Sequence, residues 1–141
     1  MRAAPRVARG WIDVRASGSA RGRFALRMLG FGLAGLAAST TLLALVSWWL
    51  GEPWRGFALA SGVAMVMAGP SIALGRTAGE PSRREALLAV LALWWLVPLV
   101  GSIPFVVDGA MPFLDAWFEA MSGFTATGAT AIGDFAALSP T

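Results

Sequence analysis

The sequence predicts an all-α integral membrane protein with three transmembrane helices, followed by a half-length helix that re-enters the membrane. Three observations carry this. The chain's 141 residues are 57% hydrophobic and only 13% charged, against roughly 25% charged residues in an ordinary soluble domain. Three stretches, Met28 to Leu50, Phe57 to Leu74 and Ala86 to Val107, contain no charged residue. All 11 basic residues are arginines, and they lie before, between or at the edges of these stretches.

A helix needs about 20 apolar residues to cross roughly 30 Å of hydrocarbon. The first and third stretches reach that length. The second reaches it once Trp54 and Gly75 extend its ends. Three core helices of a soluble protein would need polar sequence to cover them, and little remains here. The first stretch is also too long for the apolar region of a cleaved signal, which runs about 7–15 residues.

Arginine placement sets the expected orientation. Residues 1–27 hold Arg2, Arg6, Arg9, Arg15, Arg21, Arg23 and Arg27. The first link holds only Arg55, the second holds Arg76, Arg83 and Arg84, and no basic residue follows. Basic segments stay cytoplasmic. The expectation is a multi-pass protein of the cell inner (plasma) membrane, with its N-terminus and the 75–85 link inside. Trp48, Trp49 and Trp54 then fall at the outer interface, where indoles settle. Trp94 and Trp95 lie mid-span and read as packing residues.

Three divisions follow: a basic cytoplasmic tail over 1–23, two N-terminal transmembrane helices over 24–76, and a third unit over 83–141. The tail is attracted to anionic lipid, and Pro5 breaks any early helix in it. The sequence has no Cys and no His, which speaks against disulfides, zinc and haem and leaves no cofactor expected. The high isoelectric point does not indicate nucleic acid, because the arginines flank apolar runs rather than interleave with aromatic residues.

Some strings imitate motifs. Gly30, Gly32 and Gly35 spell GxGxxG inside an apolar helix, without the preceding strand that a dinucleotide site needs. They read as points of close helix approach. Ser39, Thr40 and Thr41 return hydrogen bonds to their own helix. Pro70, Pro98 and Pro104 each remove a backbone donor and can kink a span, and Pro104 is expected to help end the third one.

The segment from Asp108 carries the functional signal. Pro112 suits the first turn of a helix, Phe113 to Ser122 has helical content, Asp115 favours the helix start, and Gly123 is a natural stop. Such a helix is roughly 15–18 Å long, about half a membrane. It is followed by Thr125-Ala126-Thr127-Gly128-Ala129-Thr130. A helix C-terminus aimed into the membrane favours a cation there. Non-helical backbone at that depth is tolerated where it lines a water-filled path or is buried in protein. Small side chains leave carbonyls accessible, and rings of carbonyls can replace an ion's hydration shell. These features describe a pore helix and a filter loop. An ordinary external loop with a Ser/Thr/Gly-rich turn remains the plainer alternative.

The string Asp115-Ala-Trp-Phe-Glu119, then Ser122-Gly-Phe-Thr-Ala-Thr-Gly-Ala-Thr130, resembles the first pore-loop of the TrkH/TrkG/KtrB family of potassium-uptake proteins. The Gly101-Ser102-Ile103-Pro104-Phe105 ending resembles it too, so the likeness covers roughly 83–140. Two further spans ahead of the pore unit are more similar to TrkH and TrkG than to KtrB. The resemblance implies four outer-helix, pore-loop, inner-helix repeats around one potassium path. On that basis Thr125, Ala126, Thr127 and Gly128 are the filter residues, with K+ at Ala126 and Thr127. Asp115 and Glu119 support the pore mouth. Ala126 stands where the family usually has threonine, which is a mild departure if the position offers only its carbonyl.

The resemblance also implies a cytosolic nucleotide-binding regulatory subunit (TrkA-like) and a homodimer in the full-length protein. No inner helix follows residue 130 within the sequence, so the chain alone is expected to be incomplete as a pore. Asp115 and Glu119 are four apart on one helical face, but no nucleophile–base pair accompanies them, so an enzyme is not expected. The rival reading is a non-transporting membrane module that packs or assembles helices through its glycine-rich first span.

Overall fold

The computed structural model describes residues 22–76 and 83–131, and every regular element in them is helical. The elements are α1 (Arg23–Leu50), α2 (Arg55–Gly75), α3 (Arg83–Gly101), α4 (Ile103–Val107) and α5 (Phe113–Phe124). The expected basic tail falls on residues of which only the last two are described. Among the described residues there are three candidate membrane spans: α1, α2, and α3 with α4 as one unit over Arg83–Val107.

In each span only 22–28% of the most apolar window is buried within the chain. Val66 is 75% exposed, and Leu87, Leu42 and Leu114 also face outward. An apolar surface of this extent is unstable in water and suits a lipid bilayer, where lipid tails solvate it. Composition and structure therefore make this a membrane protein.

Packing between the spans relies on small side chains. Along α1 the buried residues are Gly30, Leu33, Ala37, Thr40, Ala44 and Ser47, alternating three and four apart. Along α2 they include Gly56, Ala60, Ala64 and Ala68, spaced four apart. This is the small-xxx-small pattern that lets membrane helices approach closely in the absence of a hydrophobic driving force. A Cβ on Gly30 would lie 2.9 Å from the Ile72 backbone nitrogen. A Cβ on Gly32 would collide with Leu93 of α3. Two of the three GxGxxG glycines thus serve close approach, each to a different neighbour, while Gly35 faces open space.

The hydroxyls on α1 return hydrogen bonds as expected: Ser39 to Gly35 O, Thr40 to Leu36 O and Thr41 to Ala37 O. One of them also reaches across. Thr41 Oγ lies 2.6 Å from Ser61 Oγ, and Ser61 Oγ lies 3.2 Å from the Ala37 carbonyl. This forms a polar clip between α1 and α2. Ser61→Ala is expected to cost about 0.6 kcal/mol, and no more than about 1.7, the range for interhelical hydrogen bonds in membranes. A denaturation titration of the reconstituted chain measures it. A loss well above that range would mean the seam depends on Ser61 for more than the clip.

The helix ends are sorted. At one end the Gly22 N–H donates to Glu85 Oε1 at 2.7 Å, and Gly75 meets Arg23 and Arg27. At the other end a Cβ on Gly56 would sit 2.7 Å from both Pro104 Cα and Asp108 Oδ2. So α1 and α3 run one way and α2 runs back between these ends.

The third span differs from expectation. It is interrupted at Ser102, which is nearly fully buried and gives its hydroxyl to Leu99 O. Pro104 lies in the first turn of α4 and starts that helix instead of ending the span. The reason is its missing N–H, which costs nothing in a first turn. The span ends at Val107, and Gly109, with a φ of 72°, sets the left-handed stop after it. There the Gly109 N–H reaches Val106 O and the Ala110 N–H reaches Phe105 O, the paired bonds of a Schellman cap. Helices α2 and α3 continue through Pro70 and Pro98.

Candidate ion-path segment

Helix α5 begins after Pro112, whose ψ of 156° is extended. Pro112 is therefore the residue before the helix and not part of its first turn, where Asp115 lies as expected. The 12 residues of α5 span about 18 Å. It packs on α3 and α4. The Trp117 and Trp95 rings lie 5.4 Å apart, tilted by 34°. A Cβ on Gly101 would rest 3.7 Å from Ala120. Trp95 thus packs on Trp117, although both Trp94 and Trp95 remain more than half exposed. The Trp117 indole N–H is buried without a hydrogen-bond partner among the described residues.

The helix does not stop at Gly123. It runs to Phe124, and Ala126 takes the left-handed conformation with φ 54°. The Ala126 N–H reaches Gly123 O at 3.2 Å and the Thr127 N–H reaches Ser122 O at 3.0 Å. This is the same cap geometry as at Gly109, with alanine where glycine is usual. A β-branched side chain is strained in that conformation. Position 126 is therefore more sensitive to its side chain than a carbonyl-only role implies.

After the cap the chain folds back along α5. Gly128 has φ 73°, and a Cβ there would meet nothing within 4 Å. Side chains of three residues, Glu119, Ser122 and Thr125, hold the returning limb. Ser122 Oγ donates to Ala129 O. Thr130 Oγ1 and the Ala131 N–H both donate to Glu119 Oε2, each at 3.0 Å. Thr125 Oγ1 donates to Met121 O at 2.8 Å and contacts the Thr127 hydroxyl. Between helix and limb lies an open groove of about 420 Å³, lined by Glu119, Ser122, Gly123, Ala126 and Gly128 to Thr130.

The carbonyl accounting is uneven. Those of Met121, Ser122, Gly123 and Ala129 accept hydrogen bonds. Among the described residues, none is donated to the carbonyls of Thr125, Ala126, Thr127 or Gly128. With Phe124, whose carbonyl also accepts none, five consecutive acceptors are left open between the engaged carbonyls of Gly123 and Ala129. The structure brings Glu119 onto this segment. Asp115, one turn earlier, is exposed and does not touch it. Ser122 was missed as a limb anchor, and only its place one turn before Thr125 and Ala126 hints at that role.

No family model matches the chain. Individual relatives do. Over 59 residues, 40% of this chain, it is 39% identical to the Trk system potassium uptake protein TrkH of Salmonella typhimurium. This stretch of the chain is TrkH-like. TrkG of Escherichia coli is 35% identical over 57 residues, and TrkH of Halomonas elongata is 34% identical over 82 residues, 56% of this chain. The matches cover 12%, 12% and 17% of those three proteins' lengths. All three are named as potassium uptake proteins, and none is named as an enzyme.

Proposed function

We propose that α5 and the limb after it form one re-entrant pore helix and filter loop of a potassium-conducting protein of the cell inner membrane. The observation that carries this is the run of five open carbonyls from Phe124 to Gly128, four of them in the Thr125–Gly128 stretch. Backbone that neither water nor protein satisfies is costly at membrane depth, and a desolvated cation is the partner such carbonyls suit. K+ is the cargo, held at Ala126 and Thr127. Several such loops around one axis complete an ion cage, and one loop supplies about a quarter of it. The partners this reading implies are a TrkA-like cytosolic nucleotide-binding subunit and a second copy of the full-length protein.

A graft tests it. Residues 83–131 replace the matching segment of the Salmonella TrkH, and the chimaera is expressed in a potassium-uptake-deficient bacterium. Growth at low potassium is expected. A chimaera that reaches the membrane at normal levels and supports none would refute the assignment.

In this reading the N-terminus and the 76–84 link are cytoplasmic and the 108–112 turn is external, from the arginine bias. Cysteines at Ser82 and Ala110 report this, since Ala110 is exposed and avoids the left-handed Gly109. An impermeant thiol reagent on intact cells is expected to label position 110 and not 82. The reverse pattern would invert the topology and point the filter limb the wrong way.

The small-residue seam of α1 and α2 does not favour the helix-packing alternative. That seam is filled by the chain's own helices, so it offers no open face to a partner.

A further inference from the structure

The arginine end of the α1/α2 pair is more than a topology signal, because it is built on a backbone contact. A Cβ on Gly75 would lie 2.5 Å from Arg27 Cβ and 2.8 Å from the Arg23 carbonyl. The two helix backbones therefore touch where the arginines emerge. Arg27 belongs to that contact, and Arg76 follows it directly. The Arg27 guanidinium lies 5.8 Å from the centre of the Phe31 ring, a cation–π arrangement that pre-orders it. Arg76 is exposed. Across this end, Arg23, Arg27, Arg76, Arg83 and Arg84 face one described carboxylate, Glu85, which accepts the Gly22 N–H. Phe31 itself is 51% exposed and continues the surface along α1 into the apolar zone.

We propose that Arg27 and Arg76 bind the phosphate of an anionic phospholipid in the leaflet at this end, with its acyl chain along Phe31. Charge complementarity selects the occupant. A guanidinium presents donors in a planar fork that matches phosphate oxygens, and two of them come from touching helices. A zwitterionic headgroup would bring an ammonium toward an arginine cluster that, among the described residues, holds one carboxylate, Glu85. The opposite end of the bundle is different. There Arg55 is three residues from Glu52, and the Asp108 carboxylate approaches the adjacent Gly56, so one described arginine stands with two carboxylates. The site stands whether or not the filter reading does.

The test is native mass spectrometry of the purified chain in mixed micelles of phosphatidylglycerol and phosphatidylcholine. Wild type is expected to retain phosphatidylglycerol selectively. Arg27→Gln with Arg76→Gln is expected to lower that preference roughly 30-fold, since each arginine near an anionic surface contributes roughly fivefold. Arg55→Gln is expected to leave it unchanged. Gly75→Ala keeps every charge but forces the contact apart, and most of the preference is expected to go. If Gly75→Ala retains the wild-type preference, or Arg55→Gln lowers it as far as the double variant, the attraction is diffuse and the site does not exist. Displacement of the lipid by millimolar inorganic phosphate would equally overturn a lipid site. Both arginine variants change partly or wholly exposed side chains, so the comparison survives if Gly75→Ala fails to fold.

Discussion

Glu119→Ala in the TrkH chimaera is expected to lower rubidium uptake about tenfold, with membrane insertion unchanged. The Glu119 carboxylate holds the returning limb through Thr130 Oγ1 and the Ala131 N–H. Hydrogen bonds to a charged group contribute about 1.5–3 kcal/mol each when shielded. These two are exposed, so the low end is appropriate for the pair together, and about 1.4 kcal/mol is a factor of ten. The companion variants separate two roles for the carboxylate. If Glu119 acts as a strut, Glu119→Gln keeps an acceptor oxygen and retains most of the uptake. If it acts by attracting cations to the mouth, Glu119→Gln loses as much as Glu119→Ala, and Asp115→Asn falls with it. The structure leads us to expect the first pattern, with Asp115→Asn within twofold of wild type. Equal losses in all three would show that charge at the mouth matters and the strut does not.

The contrast between the two carboxylates shows what a sequence can reveal here. Asp115 and Glu119 look equivalent on a helical wheel, being one turn apart on one face. They differ only because the limb returns beside Glu119, 11 residues on, and that is a non-local event. The spans were legible because lipid imposes composition: three charge-free stretches, with arginines at their edges, left few other solutions. Their ends were less so. Gly123 has the residue type of a helix stop, yet α5 runs through it. The carbonyls of Ser122 and Gly123 are satisfied by Thr127 and Ala126, and alanine adopts the left-handed turn. No propensity rule favours alanine there. Pro104 behaved similarly. A proline marks a boundary, but which side of it the helix occupies depends on the bond to Ser102 and on the stop at Gly109. The clip between Thr41 and Ser61 was also invisible, since Thr41 is explained by its own helix and nothing in the sequence pairs it with Ser61.

Gly128→Ser in the same chimaera is expected to erase the preference for rubidium over sodium while leaving protein levels normal. Gly128 has φ 73°, a value at which a Cβ crowds the neighbouring carbonyl oxygen. The cost is roughly 1–2 kcal/mol for one residue. The space around the position is open, with nothing within 4 Å of the added Cβ, so no packing clash opposes the substitution. Relief then comes from backbone rotation. Rotation at Gly128 turns the carbonyls on either side of it, and Thr127 supplies one of the open acceptors. Discrimination between potassium and sodium depends on the number and placement of such carbonyls, so a modest rotation changes selectivity more than it changes folding. Ala126→Gly is the informative control. It relieves the left-handed strain at φ 54° without moving the Thr127 carbonyl from its place. It is expected to keep wild-type selectivity and to stabilise the cap by up to about 1 kcal/mol. Uptake of rubidium against graded sodium reads both variants. Full discrimination in Gly128→Ser would mean that these carbonyls do not contact the ion, and the limb would then be a structural turn.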